Sequence, residues 1–151
     1  MPWKKTSFEE VESRGILAGE EVNGTKVYVG RTLDKDGTFV PAKVVPANKL
    51  GYYAYNGTEE SSDQVEILEN SANCHWVKSD GLLLEDAAVV SGFQIGRALY
   101  NGNVVVGRVD LAAKELIGSY GGEAFSLPSY DVLIYKSRGE NSLVSVKKLN
   151  N

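Results

Sequence analysis

The feature that most constrains this chain is a set of landmarks written twice at a near-constant interval. Lys43 and Arg108, Tyr55 and Tyr120, and the runs Val65–Leu68 and Tyr130–Leu133 each stand 65 residues apart. Arg31 and Arg97 stand 66 apart, and Trp3 and Trp76 stand 73 apart. The step from 73 to 66 places seven residues, "EEVNGTK", in the first copy that the second lacks. Ordered landmarks at a fixed offset indicate an internal duplication. Each copy of about 70 residues would bury only a marginal core by itself. The expected solution is two similar units packed about a pseudo-twofold axis and sharing a core.

The local signals within each copy are those of strands. "TKVYVGRT", "TFVPAKVV", "GYYAY", "DQVEIL", "FQIGRAL", "NVVVGRVD", "LIGSY" and "YDVLIYK" are short, rich in Val, Ile and Tyr, and bounded by Gly, Asn and Asp. Their spacing predicts an all-β, antiparallel fold. Only "TSFEEVES" offers a helical turn, capped by Thr6 or Ser7. Pro41 and Pro46 bracket one strand and suggest an edge or a bulge. The domains expected are residues 1–72 and 73–136 as the two repeats. Residues 137–151 form a C-terminal extension in which "LVSV" offers one more strand. The asparagines of the sequons Asn23-Gly24-Thr25 and Asn56-Gly57-Thr58 read as turn residues. Trp3 and Trp76, in matching positions, read as core anchors.

Charge and composition then narrow the function. A net charge of −4 opposes nucleic-acid binding, which needs a cationic field. No apolar run reaches the length of a membrane span. The start "MPWKKTSFEE" lacks the apolar core of a secretory signal, and the single cysteine, Cys74, rules out an internal disulfide. The expected location is cytoplasmic, or outside the cell by a route without a signal peptide. Cys74 and the single histidine, His75, lack the further ligands of a zinc site. No metal site, cofactor motif or acid–base–nucleophile set is legible, so an enzyme is not expected.

"YVGRTLDKDGTFVPAKVVP", then "YYAYNGTEE" and "VEIL", resembles the DM-nine repeat: Tyr-Val-Gly-Arg, a short loop, Pro-Gly-Lys-Val, an aromatic turn with a Glu, then Tyr-Glu-Val-Leu. "FQIGRALYNGNVVVGRV", "SYGGEA" and "YDVL" are similar to the same pattern. The resemblance covers roughly residues 3–136. It implies an all-β, commonly dimeric protein, and its characterised members are metal-independent mannose-binding lectins. It also implies a site made from a carboxylate before the Tyr-Val-Gly-Arg strand and the lysine of Pro-Gly-Lys. On this sequence those positions fall on Glu21, where the pattern has Asp, and on Lys43 in "PAK". Glu20, Asp36, Thr38 and Arg108 are secondary candidates. The acidic loop is missing before "FQIGR", so one main site per chain, in the first copy, is expected.

The residue types suit a sugar. A carboxylate accepts from two vicinal hydroxyls while an ammonium donates to the oxygens between them. Such charge-assisted bonds exceed neutral ones in strength. Tyr28, Tyr52, Tyr53 and Tyr55 are candidates for the face that meets sugar C–H groups. Against this stands the ordinary solvated ion pair, worth under about 1 kcal/mol. Arg31 and Arg97 read as structural, with Glu59 and Glu123 as candidate partners. Two functions follow: a lectin for mannose-containing glycans, acting as a homodimer, or an intracellular stress- or immunity-related module that binds a protein or vesicle partner.

Overall fold

The computed structural model describes residues 3–70, 73–79, 81 and 84–136. The C-terminal extension 137–151, with the strand expected in "LVSV", lies outside the described residues. The first half runs β1 (Trp3–Lys5), α1 (Phe8–Arg14), β2 (Leu17–Glu20), β3 (Lys26–Leu33), β4 (Phe39–Val45), a 3₁₀ turn (Pro46–Asn48), β5 (Leu50–Tyr55), β6 (Thr58–Ser62) and β7 (Glu66–Leu68). The second runs β8 (His75–Lys78), β9 (Val89–Val90), β10 (Phe93–Tyr100), β11 (Asn103–Asp110), β12 (Glu115–Tyr120), β13 (Glu123–Leu127) and β14 (Asp131–Ile134). The pairs between these strands are antiparallel.

The sheet order is β1-β7-β3-β4-β5-β6-β13-β12-β11-β10-β14-β8, with β2 paired to β3 and β9 to β10. Adding seven to each strand number of the first half gives the second half in reverse order. The sheet therefore reads the same from both ends, with its centre at the β6–β13 junction. The all-β class and the two packed antiparallel units expected from the repeat are both present.

Period-two alternation sorts the side chains between three cores. Val27, Val29 and Val45 join Ile95, Val104 and Val106 in a cluster shared by both halves. Tyr28 and Val44 point the other way, into a private cluster closed by Phe8 and Val11 of α1. Val105, Val109 and Val132 form the corresponding private cluster of the second half. The sheet thus folds over on itself, with β4 and β11 face to face across the shared core. Each fully buried aliphatic side chain contributes about 1.5–3 kcal/mol. Trp3 and Trp76 are half-buried against the shared cluster, as expected of anchors.

The glycine of each Gly-Arg step has a packing reason. A Cβ on Gly30 would lie 2.4 Å from Val44 and 2.9 Å from the Glu66 carbonyl. On Gly96 it would lie 2.7 Å from Leu116. The arginines that follow are structural, but their partners differ from those expected. Arg31 binds Glu66 on β7 (2.8 Å) and Arg97 binds Asp131 on β14 (3.0 Å), each across the ladder from its partner. Glu59 and Glu123 lie beyond two-residue turns, too far along the sheet. Each guanidinium also faces a tryptophan, Arg31 over Trp3 and Arg97 over Trp76.

Pro41 and Pro46 do not mark an edge. β4 is interior, paired with β3 through Arg31↔Pro41 and with β5 only from Lys43 onward. Pro41 thus stands where the β4–β5 ladder has already ended, so its missing N–H leaves no gap there. Pro46 opens the 3₁₀ turn. Ser7 is the N-cap of α1, without a side-chain bond to the helix. Asn56 and Gly57, with φ of 48° and 82°, make the tight turn between β5 and β6.

α1 is tied to the sheet by charge. Arg14 binds Glu10 and Glu69, and Lys4 binds Glu69 at 3.0 Å. Bonds from Arg14 and then Lys4 hold the Glu69 carboxyl below its ordinary value of 4.5. Lys35 and then Thr58 do the same for Glu60. A carboxyl whose pKa falls on folding adds stability above the unfolded value and loses it as pH drops through the folded one. Thermal unfolding should therefore show a flat Tm above about pH 5.5 and a decline below about pH 4.5. Glu69→Gln should shallow that decline; an unchanged slope would remove Glu69 from it.

Candidate functional site

A tight loop sets the position of Glu21. Its N–H donates to the Thr25 carbonyl (2.8 Å) and its carbonyl accepts from Gly24 N–H (2.9 Å). Asn23 Oδ1 accepts from Thr25 N–H at 3.0 Å, the turn role expected of that asparagine. The Val22 N–H donates to Asn103 Oδ1 (2.9 Å), which ties the loop to the start of β11. The loop that only the first half possesses is thus held by the second half.

Lys43 reaches the same place from β4. It shares the face of Val45, which is the face turned toward the second half. An ammonium buried there requires acceptors. Its Nζ donates to Glu21 Oε1 (2.9 Å) and to the Val104 carbonyl (3.2 Å). Glu21 Oε2 accepts from Val104 N–H at 2.9 Å. The side chains of Lys43 and Glu21 are 6% and 12% exposed, so this is a buried pair and not a solvated one. Nζ also stands 4.7 Å from the Tyr120 ring centre and 5.9 Å from that of Tyr52.

The pair forms the floor of an open groove of about 580 Å³ between the halves. Asn103 and Tyr120 of the second half line one side of it, and Asn48, Tyr52 and Glu59 of the first half also line it. Glu59 is held in place by Ser119 Oγ (2.9 Å) and Gly122 N–H (3.3 Å). Two of the three Lys43 protons are committed, leaving one donor. Each Glu21 oxygen keeps a free lone pair. The floor therefore offers one charged donor beside two charged acceptor positions, flanked by tyrosine rings and amides.

The secondary candidates do not line this groove. Asp36 and Thr38 lie exposed in the β3–β4 hairpin, where Asp36 accepts from the Tyr55 hydroxyl at 2.8 Å. Glu20 is exposed and lines a separate cleft with Arg97 and Asp131. Arg108 stacks 5.4 Å from the Phe93 ring centre. Of the four tyrosines proposed as sugar faces, Tyr52 lines the groove, Tyr28 and Tyr53 are buried in the protein, and Tyr55 turns to Asp36. Sequence reasoning did not assign Asn48, Glu59, Asn103 or Tyr120 to the site, and gave Glu59 to the arginines instead. Three of these sit in or beside turns, where a polar residue carries no signal of its own. Tyr120 was legible only as the repeat partner of Tyr55.

Residues 22–95 match the family model of the DM9 repeat. The chain carries a DM9 repeat. The matched DM9 segment begins in the groove loop and ends on β10, so it is cut at a different phase from the expected boundary at 72/73. Among solved structures, the crystal structure of the nematode sperm cell motility protein MFP2B is similar, with a TM-score of 0.58 and 14% identity. That match covers 93% of this chain and 46% of MFP2B, so this chain spans just under half of MFP2B. At that identity the likeness is one of fold. No curated protein matches the sequence. Among the described residues, no helix is long and apolar enough to cross a membrane.

Proposed function

We propose that this chain is a carbohydrate-binding protein that takes mannose or mannose-terminated glycans in the groove over Glu21 and Lys43, without a metal. The observation that carries this reading is the fixed Glu21–Lys43 pair, with unused donor and acceptor capacity, on the floor of an open groove. Two adjacent sugar hydroxyls can donate to the free carboxylate lone pairs while the third Lys43 proton reaches the oxygen between them. Tyr120, beside the ammonium, offers a ring to the C–H face. The DM9 match supports the reading, and the pair stands at the two positions that the resemblance assigns to recognition. The reading includes one site per chain, two repeat units divided at 72/73, and a homodimer that adds avidity to weak single contacts.

A single hexose should bind near the millimolar range, about −4 kcal/mol. The test is a titration of isotope-labelled protein with mannose and, in parallel, galactose. Saturable amide shifts at Glu21, Lys43 and Val104 with mannose alone are expected. No shift at tens of millimolar sugar would sink the lectin reading.

One observation favours a second reading, a protein-binding module. Leu99 and Tyr100, on the hairpin that carries Asn103, are 70% and 39% exposed, and Val22 in the groove loop is 72% exposed. Exposed apolar groups of this kind suit a protein surface. Leu99→Ser would weaken capture of such a partner and leave sugar shifts as they were.

A further inference from the structure

We propose that the groove holds two linked pyranose units, so that the ligand class is the end of an oligosaccharide, with a second subsite at Asn48, Tyr52 and Glu59. The inference rests on the carbohydrate reading above.

The first observation is size. One pyranose fills roughly the volume of six waters, about 180 Å³ at the liquid's share per molecule. The groove, at about 580 Å³, exceeds that severalfold.

The second is the distribution of unused polar groups. Glu21 and Lys43 occupy the floor, and the Tyr52 ring centre lies 5.9 Å from the ammonium. Asn48 Nδ2 donates to the Tyr52 hydroxyl at 3.1 Å, so the Tyr52 O–H proton is free to donate outward. Asn48 retains its Oδ1 and a second amide proton. Both Glu59 oxygens carry one bond each, to Ser119 and Gly122, and keep a lone pair. This set pairs donors with acceptors as the floor does, on residues that the first sugar does not need.

The third is the repeat itself. The positions 65 residues beyond Asn48, Tyr52 and Glu59 hold Ala113, Ile117 and Ala124. Those residues occupy the matching turn and the matching strands β12 and β13. The fold therefore builds the same elements without an amide, a phenol or a carboxylate. The polar versions occur only in the half that supplies Glu21 and Lys43.

The experiment is calorimetric titration of the full chain with methyl α-mannoside and with a methyl α-linked dimannoside. The dimannoside should bind about tenfold more tightly, the effect of two further hydrogen bonds. In Asn48→Ala and Tyr52→Phe that advantage should fall toward unity. Asn48 is exposed, so its truncation leaves the fold intact. Lys43→Ala should abolish both titrations. Equal affinity for the two sugars, or a full advantage in the variants, would overturn the second subsite while the first stood. Binding of neither sugar would overturn the carbohydrate reading and this inference with it.

Discussion

Glu21→Ala should lower the stability of the folded chain by about 3 kcal/mol, besides removing sugar binding. The change strips Lys43, 6% exposed, of its only carboxylate among its hydrogen-bond partners and leaves the Val104 N–H without its acceptor. Breaking a buried pair on one side leaves an uncompensated charge, which costs far more than the pair is worth. For a chain of this size the Tm should fall by about 10 °C. Lys43→Met should have a similar effect from the other side. The double variant Glu21→Gln with Lys43→Met should recover much of the loss, because no charge is then stranded. A drop of under about 1 kcal/mol in the single variants would mean that the pair is effectively solvated. Glu21→Asp adds a finer test. The carboxylate spans two elements, from Lys43 on β4 to Val104 on β11, so a side chain one methylene shorter should stretch one of the two bonds and lower the Tm by less than Glu21→Ala does.

Gly107→Ala should be the most damaging single methyl in the described sheet. A Cβ at Gly107 would stand 1.9 Å from the Ile117 carbonyl oxygen, 2.8 Å from its carbon and 3.0 Å from the Gly118 Cα. All three are backbone atoms of β12, so no rotamer change relieves the clash. β11 and β12 would have to separate next to the Arg108↔Ile117 pair. Overpacking in a core costs about 1–3 kcal/mol, and the backbone contact puts this case at the upper end or beyond. The expected result is a Tm lower by about 10 °C or loss of soluble protein. Gly118→Ala, whose Cβ would meet the Val105 side chain instead, gives a comparison in which the neighbour can turn. The matching position in the first half already holds an alanine, Ala42, fully buried. An unchanged Tm for Gly107→Ala would mean that β11 and β12 are free to part at this point.

Much of this fold was written in the sequence. Eight segments read as strands cover β3, β4, β5, β7, β10, β11, β12 and β14, four of them short of the strand by one end residue, because Val, Ile and Tyr bounded by turn residues carry the signal. Five of the other six described strands were illegible, and β13, "EAFSL", was missed. β6, "TEESS", is polar throughout, and β9 has two residues. β1, β2 and β8 have three or four residues each, too few for a period to show. These are strands by pairing, and pairing is a property of the neighbour. The same limit explains the arginines: an acidic partner was legible, but Glu66 and Asp131 follow from the β3–β7 and β10–β14 registers, which link residues about 35 apart.

The sequence alone determined the duplication, the all-β class, and the asymmetry between a half with the loop "EEVNG" and a lysine and a half with neither. These are statements about order along the chain, and hydrophobic period and spacing suffice to make them. The tertiary structure decided what lies opposite what. It turned Lys43 inward, because β4 alternates about Val44 and faces β11 across the shared core. It buried a pair that residue type alone reads as a solvated one, by bringing Val104 to both charges. It set the site expected in the first half within a groove that Asn103 and Tyr120 of the second half also line. Those outcomes depend on how a sheet closes over itself, and closure is fixed by twist and by the packing of two halves, which leave no local mark on the residues they bring together.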